Sequence, residues 1–341
     1  MKIFAKIQSL FLIVMSIVCI ALPLRAEPFR IIVTHLEPPL VPNSVMDLAL
    51  ELGYFEREGV SVELVRVQQT PSAISALLSG EGEMANVGVD TVLQLKVQGQ
   101  DSFVAVLSPN KSLPFIIASK SEFQSITDLK GHSFGVGRIG SLDHSLSSKV
   151  IEDAGVSMKD VDLVSLGQPS VRAQALMAGK IDATTVSIGT WMSIADKRGL
   201  KILVPSDQYY EAAPVMSKIN IMPKSVLSER RSEVMGVIRA LIKISRDFDA
   251  NPEDWAKAMA PYATSLSEED LKQLAKSFSG SWSVNGGLNK EALSYTSDWL
   301  FKTEDFKGAD PVMLSDWVDF TPVDEVLAEL GTLSSSDFVS R

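Results

Sequence analysis

Short apolar runs alternate with helix-like patterns along this chain, and that alternation restricts the folds open to it. Residues 29–34, 60–67 and 84–89 are predicted strands, and the segments between them repeat apolar residues at helical spacing. Strands that alternate with helices form βα units, which assemble into a largely parallel sheet. The sequence therefore predicts an α/β fold.

A second series of βα units follows a turn-forming segment at residues 108–111. Its predicted strands are residues 134–136, 161–166, 182–187 and 200–204. Residues 205–214 are polar and irregular in pattern, residues 216–222 form one more strand pattern, and almost everything from Ser228 onward is helical in pattern. No clear internal repeat is visible.

A sheet that the chain leaves once and re-enters once gives two α/β lobes joined by two hinge strands. Ligands of such sheets bind beyond the carboxyl ends of the strands, here in the cleft between the lobes. The predicted divisions are a signal peptide at residues 1–26, a first lobe beginning with 27–109, a second lobe at 110–213, and a return to the first lobe with C-terminal helices at 214–341.

The first 26 residues have the pattern of an export signal. Lys2 and Lys6 precede an apolar run that is shorter than the roughly 20 residues of a membrane span, and Ala26 suits cleavage. Cys19, the only cysteine, lies inside this run, where lipid attachment is not expected. We therefore expect a periplasmic protein, cleaved near Ala26, whose mature chain has no thiol chemistry.

The charge balance argues against nucleic acid as a partner. The chain has 32 Lys and Arg residues against 42 Asp and Glu, a formal net charge of -10, and no clustered basic patch. A small anionic ligand remains possible because the field inside a cleft can oppose the overall sign. His35, His132 and His144 are far apart and form no metal-ligand motif, and no GxSxG nucleophile motif occurs.

Several segments resemble one protein family when taken together. Residues 53–64 read GYFEREGVSVEL, and further matches are residues 76–85, the DLKG element that ends at Gly131, Gly140-Ser141, residues 178–183 and residues 317–331. Their order is similar to that in periplasmic substrate-binding proteins of the nitrate, sulfonate, taurine and thiamine-precursor ABC importers. This resemblance implies a type II periplasmic-binding-protein fold without catalysis, a small-molecule ligand and a membrane permease as partner.

The chain departs from that family at two places that contact ligand. Members that bind the thiamine precursor carry Trp-Thr-Pro-Asn and a histidine after the first strand, whereas residues 34–39 read THLEPP. Sulfonate binders often have an aromatic-acidic-proline run where residues 187–191 read SIGTW. The resemblance therefore does not identify the ligand.

Residues 135–140 match the GxGxxG pattern of dinucleotide sites. The first glycine lies within the predicted strand and the motif falls in the middle of an exported chain, so we do not expect a nucleotide. Gly140, Ser141 and Leu142 instead offer a flexible backbone, a hydroxyl and the first free N–H groups of a helix, which suit a sulfonate or carboxylate. An ordinary helix N-cap at Ser141 is the alternative.

The remaining candidate ligand contacts also follow predicted strands. In the first lobe they are Thr34, His35, Gln69, Thr70, Val89, Asp90 and Thr91. Asp90 either pairs with the ammonium of a zwitterionic, taurine-like ligand or caps its helix. In the second lobe Ser187 and Trp191 follow a strand, and the Trp191 ring either forms a flat wall for the ligand or packs in the core.

These observations predict an extracytoplasmic solute-binding component of an ABC importer. It would act as a monomer, without catalysis, cofactor or metal, and close its two lobes over a small organic or anionic solute. The alternatives are an enzyme on the same fold, acting on a pyrimidine or carboxylate metabolite, and a ligand sensor that docks on a membrane receptor.

Overall fold

The computed structural model describes residues 27–109 and 114–335, so the predicted signal peptide lies outside the described residues. Two five-stranded sheets organise this part of the chain, each covered by helices. Among the helices of these residues, none has the length and hydropathy needed to cross a bilayer.

The first sheet combines four strands from residues 29–107 with one strand from residues 218–223. Its strands are β1 (Phe29–Val33), β2 (Val62–Arg66), β3 (Met84–Gly88), β4 (Phe103–Leu107) and β10 (Lys218–Pro223). Their order is β2-β1-β3-β10-β4, with β10 antiparallel to both of its neighbours. β3 and β4 are buried along their whole length, as expected of strands covered on both faces.

The second sheet repeats this arrangement in the middle of the chain. Its strands are β5 (Phe115–Lys120), β6 (Ser133–Val136), β7 (Asp162–Ser165), β8 (Ala183–Ser187) and β9 (Leu200–Val204). Their order is β7-β6-β8-β5-β9, and β5 runs antiparallel to β8 and β9. We use "first lobe" for residues 27–109 and 214–335 and "second lobe" for residues 114–213. The predicted α/β class is confirmed.

The helices flank the two sheets. In the first lobe they begin with α1 (Val45–Glu51), α2 (Tyr54–Arg57), α3 (Thr70–Leu78) and α4 (Val89–Val97). The second lobe has α5 (Leu142–Asp153), α6 (Pro169–Met177), α7 (Ile188–Met192) and α8 (Ser206–Ala212). After β10 the chain is helical, with α9 (Lys224–Glu229), α10 (Arg231–Ala250), α11 (Pro252–Met259), α12 (Glu268–Ser277), α13 (Lys290–Leu300), α14 (Leu314–Trp317) and α15 (Thr321–Leu330).

Helix α8 corrects the expectation of an irregular segment at residues 205–214. The Tyr209 side chain is buried, and its ring centroid lies 5.9 Å from that of Phe115 on β5. Packing of this one aromatic residue against the sheet stabilises a helix that polar sequence alone does not predict.

The C-terminal helices complete the core of the first lobe. Trp255, Trp282 and Trp317 are fully buried, and Phe278 packs edge-on against Trp255 at 5.0 Å between ring centroids. The Trp255 indole donates a hydrogen bond to Ser44 Oγ at 2.8 Å, which ties α11 to the start of α1. These tryptophans therefore hold the lobe together.

The two lobes share a helix–strand–helix repeat, although no internal repeat was predicted from the sequence. Met84 begins β3 and Ala183 begins β8, an offset of 99 residues that also separates the starts of α3 and α6 and of α4 and α7. Residues 76–91 read ALLSGEGEMANVGVDT and residues 175–190 read ALMAGKIDATTVSIGT, with five identical positions. Such weak identity becomes visible only when the elements align.

Candidate binding cleft

An inner cavity of ≈ 240 Å³ lies between the lobes. It is bounded by the carboxyl ends of strands in both sheets and by the helix starts that follow them, which is where open α/β sheets bind ligands. First-lobe residues lining it are Thr34, Gln68, Gln69, Thr70, Pro71, Gly88, Asp90, Thr91 and Lys218. Second-lobe residues lining it are Phe115, Gly137, Arg138, Ser141, Asp143, Gly167, Gln168, Pro169 and Arg172.

An outer cavity of ≈ 570 Å³ adjoins the inner one. The two cavities share Thr34, Gln68, Phe115, Gln168, Pro169 and Lys218. The outer cavity is otherwise lined by His35, Leu36, Glu37, Pro39, Leu40, Val41, Asn43, Ser170, Ser187, Thr190 and Ser193. A ligand larger than the inner cavity can therefore extend toward the mouth of the cleft.

Asp90 is the buried carboxylate of the first-lobe wall. The residue is only 7% exposed, and its Oδ1 has no hydrogen-bond partner among the described residues. Burial raises the pKa of Asp90, because a carboxylate loses hydration there. Gly88, rather than Asp90, is the N-cap residue of α4, so Asp90 occupies the first turn and does not cap the helix.

Lys218 is a cation that lines the same cavity and is attracted by Asp90. It was not among the predicted site residues. It begins β10, and its Nζ donates a hydrogen bond to Thr34 Oγ1 at 2.7 Å. Burial lowers the pKa of Lys218 to about 8, opposed by the attraction of Asp90. Lys218 is the one charged residue in the strand pattern of residues 216–222, which read MSKINIM, and that is the sequence signal that marks it.

The second-lobe wall contains a buried arginine that was also not predicted. Arg172 is 3% exposed and donates to Thr184 Oγ1 at 3.2 Å, to the Thr185 carbonyl at 3.0 Å and to the Gly167 carbonyl. It also pairs with Asp143 at 3.5 Å. Protein groups therefore satisfy most of its hydrogen-bonding capacity, and we regard Arg172 chiefly as a support for the wall.

The start of α5 differs from the predicted anion cradle. Asp143 accepts a hydrogen bond from the Gly137 N–H at 2.7 Å and lies 2.6 Å from Ser141 Oγ, while the Gly140 N–H donates to His144 Nδ1 at 3.2 Å. The protein's own carboxylate thus occupies the position expected for a ligand anion. Ser141 is the N-cap residue and its hydroxyl also reaches the Arg138 carbonyl, but it makes no capping bond to the helix.

The other predicted residues divide between cleft and core. Thr34, Gln69, Thr70, Thr91 and Ser141 line the inner cavity, and His35 and Ser187 line the outer one. Gly140, Val89 and Trp191 line neither cavity, and the Leu142 side chain lies outside the described atoms.

Three of these residues have well-defined partners. His35 Nε2 lies 2.8 Å from Asp47 Oδ2, and Ser187 Oγ accepts from the Thr190 N–H at 3.1 Å. Trp191 packs in the core of the second lobe, with Lys197 Nζ 5.7 Å from its ring centroid. Of the two roles considered for the Trp191 ring, a wall for the ligand or a core residue, the structure therefore shows the core residue.

The lobes touch across the mouth of the cleft. Gln168 Nε2 donates to the Gln68 carbonyl at 3.0 Å. A Cβ atom built on Gly189 would lie 2.2 Å from the Leu40 carbonyl oxygen, so the two backbones meet at a distance that only glycine permits. The described conformation is a closed one. Within residues 27–109 and 114–335, no group of three or more His, Cys, Asp or Glu side chains is arranged to hold a metal ion.

Comparisons with known proteins agree with this architecture. The family profile described as NMT1/THI5 like matches residues 45–254. No curated protein sequence matches the chain. Among solved structures, a ligand-binding component of an ABC-type import system from Staphylococcus aureus is similar, with TM-score 0.70 and 14% identity over 87% of this chain and 98% of that one.

Two further structures show what this fold is used for in other proteins. The periplasmic aliphatic sulphonate binding protein SsuA from Escherichia coli has TM-score 0.66 and 16% identity, over 85% of this chain and 91% of that one. The desulfurization enzyme DSZB has TM-score 0.62 and 13% identity, over 89% and 99%. At such identities the likeness shows the fold, and the predicted two-lobed binding-protein fold is confirmed.

Proposed function

The chain belongs to the NMT1/THI5-like family, and we propose that it is the extracytoplasmic solute-binding component of an ABC importer. The observation that carries this proposal is the inner cavity, because both lobes contribute polar and charged side chains to the same space between them. A ligand held there contacts both lobes only when they are closed. Such a ligand shifts the equilibrium toward the closed form by its differential affinity for that form.

Several contacts, from both lobes, must combine to bind the solute. Micromolar affinity corresponds to about 8 kcal/mol, whereas a hydrogen bond typically contributes about 0.5 to 1.5 kcal/mol. We propose Thr34, Gln69, Thr70, Thr91 and Ser141 as contacts, as the sequence predicts, together with Asp90 and Lys218. Ser187 and His35 would contact only a ligand that reaches the outer cavity.

The importer role is supported by the roles of two similar proteins: one is a component of an ABC-type import system, and the other is a periplasmic sulphonate-binding protein. We accordingly propose that the mature protein acts in the periplasm, as the predicted signal at residues 1–26 requires, and passes its solute to a membrane permease. Closed and open lobes would present different surfaces to that permease, which would distinguish loaded from empty protein.

The likeness to DSZB keeps an enzymatic role as the second candidate. The two roles differ in what happens to the bound molecule. We expect a panel of sulfonates, nitrate, pyrimidines, flavins and amino acids to contain a compound that raises the melting temperature and is recovered unchanged by mass spectrometry. Recovery of a chemically altered compound would contradict the binding role.

A variant pair tests whether binding occurs in the cleft. Lys218→Met removes a cleft cation, and we expect at least a tenfold loss of affinity for the compound found in the panel. Lys224→Met makes the same change at an exposed position at the start of α9 and should leave affinity unchanged. Equal affinities in both variants would contradict the location of the site.

A further inference from the structure

The glycine pattern at residues 135–140 serves a purpose other than nucleotide binding. Gly137 is its second glycine, and a Cβ atom at this position would lie 2.7 Å from Asp143 Oδ1. The glycine therefore lets a carboxylate approach the backbone, as the same position of a dinucleotide site does for a pyrophosphate. Here the anion that approaches belongs to the protein itself.

Donors from three segments meet on the Asp143 carboxylate. The Gly137 N–H, after β6, donates to Oδ2 at 2.7 Å, and the Ser141 hydroxyl, before α5, donates to Oδ1 at 2.6 Å. Arg172 Nη2, on α6, lies 3.5 Å from Oδ2. Backbone N–H, hydroxyl and guanidinium groups are donors that bind oxyanions such as carboxylates and phosphates. We call the donors of Gly137, Ser141 and Arg172 the second-lobe cradle.

The second-lobe cradle opens on the cavity between the lobes. Its three residues and Asp143 all line the inner cavity, and the Asp143 side chain is 20% exposed whereas that of Arg172 is 3% exposed. An oxyanion that entered from the cavity would find its position filled by a group of the same charge. A binding site discriminates against a ligand when it places such a group where that ligand would bind.

A ligand with an uncharged donor does not meet this obstacle. Each carboxylate oxygen can accept two hydrogen bonds, and Asp143 Oδ1 accepts one from Ser141. The charge of Asp143 is already balanced by Arg172. A ligand N–H or O–H group can therefore donate to Oδ1 without bringing a charge of its own.

We propose, resting on the proposed function, that Asp143 is a specificity-determining residue: it fills the second-lobe cradle, excludes anionic groups from this wall, and accepts a hydrogen bond from an uncharged N–H or O–H group of the solute. An acid that served only the start of α5 would need neither the arginine nor the glycine, since acidic residues are favoured in the first turn of any helix.

Asp143→Ala tests the proposal because it empties the cradle and leaves the three donors in place. The probes are formate, acetate and ethanesulfonate, measured by calorimetry at low millimolar concentration. We expect the variant to bind at least one of them about tenfold or more tightly than the wild-type protein does. Equal binding by the two proteins, or no binding by the variant, would overturn the proposal.

The same experiment remains decisive if the variant is unstable. Without Asp143, Arg172 becomes a buried cation that lacks its anion, so the melting temperature of the free variant should fall. The anion that binds should raise this melting temperature toward the wild-type value and leave the wild-type protein unchanged. A variant that no probe anion stabilises would contradict the proposal.

Asp143→Asn separates filling of the cradle from charge. Asparagine keeps the size of the side chain, and its oxygen can still accept from the Gly137 N–H while its NH₂ group takes the place of Oδ1. The cradle stays filled, so affinity for the probe anions should remain within about threefold of the wild-type value. A gain as large as in Asp143→Ala would show that charge alone excludes anions and would overturn the proposal.

Asp153→Ala is the matched control, since it removes the same group near the other end of α5. The Asp153 side chain is 58% exposed and lies 4.0 Å from Lys149. The net charge changes by the same amount as in Asp143→Ala, so the control should gain no anion binding. A shared gain would be due to overall charge and would contradict a local role for Asp143.

The contact with the solute is tested with the compound found in the broader panel. Asp143→Asn replaces the acceptor at Oδ1 by a donor, so affinity for this compound should fall about fivefold or more. Unchanged affinity would overturn the contact and leave solute binding in the cleft in place. If no panel compound binds the wild-type protein, the proposed function is overturned, and the solute contact of Asp143 with it.

Discussion

Each wall of the cleft contains a carboxylate, and the two carboxylates differ in their hydrogen-bond partners. On the second-lobe wall, Asp143 is paired with Arg172 and accepts from the Gly137 N–H. On the first-lobe wall, Asp90 retains an oxygen without a partner. The difference teaches that two carboxylates in one cleft can be buried in different ways: Asp143 by direct hydrogen bonds and an arginine, and Asp90 by a nearby lysine without a hydrogen bond to its Oδ1.

The helix–strand–helix repeat strengthens this comparison. Glu83 and Asp182 occupy equivalent positions just before β3 and β8, and each accepts a backbone hydrogen bond from the neighbouring parallel strand, from Arg30 N on β1 at 2.6 Å and from Ser133 N on β6 at 2.9 Å. Seven positions later the repeats have Asp90 in the first lobe and Gly189 in the second. The shared acids support the sheets, whereas Asp90 lines the inner cavity and Gly189 meets Leu40 of the other lobe.

The largest effect is expected where the paired wall loses its arginine. Arg172→Met should lower the free energy of unfolding by about 3 kcal/mol, because it leaves Asp143 without its cationic partner and two carbonyl groups without their donor. Urea denaturation measures this loss. Arg198→Met, at a side chain that is 91% exposed, should change stability by less than about 0.5 kcal/mol. A loss of similar size in both variants would contradict the structural role of Arg172.

The next effect separates closure from folding at the position equivalent to Asp90. Gly189→Ala places a Cβ against the Leu40 carbonyl oxygen of the other lobe, so ligand affinity should fall at least about tenfold, or 1.4 kcal/mol. In the open form the same alanine favours helix α7 by up to about 1 kcal/mol, and the free protein should not be destabilised. Weaker binding together with lower stability of the free protein would contradict the closure mechanism.

Asp182, one of the two acids in equivalent positions, predicts that the stability of the fold depends on pH in the absence of ligand. Burial acts to raise the pKa of Asp182, but hydrogen bonds from Lys120 and Ser133 outweigh it and lower the pKa to about 2. A carboxyl whose pKa is lower in the folded than in the unfolded protein stabilises the fold above its unfolded value of 3.8, and that stability is lost as pH falls toward 2.

The matching experiment is denaturant unfolding of Asp182→Asn at neutral pH and at pH 3. We expect a loss of about 1 to 2 kcal/mol at neutral pH that shrinks as the pH falls. Asp162→Asn, at an exposed position on β7, should follow the wild-type protein at both values. A loss in Asp182→Asn that is constant with pH would show that the carboxylate charge is not what stabilises this position.

The positions of several strands and helix starts could be predicted from the sequence because local signals mark them. Residues 200–204 form β9 with the predicted bounds, and α3 begins at Thr70 before Pro71, as its helix-start pattern indicates. Such patterns depend on neighbours in sequence. Helix α8 could not be predicted in this way, since Tyr209 is buried by contacts with elements far away in sequence, among them Phe115 on β5 and Thr185 on β8.

The cleft was predictable only in part. Loops at carboxyl ends of strands correctly indicated that Thr34, Asp90 and Ser141 would lie at the cavity. Whether a charge is paired depends on residues far apart in sequence: Asp143 meets Arg172 through the fold, and Lys218 reaches Thr34 from a strand 184 residues away. No spacing rule within one lobe reveals such pairs.

The smallest effect should come from the hydrogen bond between Gln168 and Gln68, which crosses the mouth of the cleft. Gln168→Ala removes the donor to the Gln68 carbonyl, whose oxygen can then bind water, so we expect affinity to fall only two- to fivefold, about 0.5 to 1 kcal/mol. Calorimetry with the same ligand measures it, and Gln174→Ala, exposed on the same helix, is the control. A loss as large as that of Gly189→Ala would mean that Gln168, which lines the cavity, contacts the ligand itself.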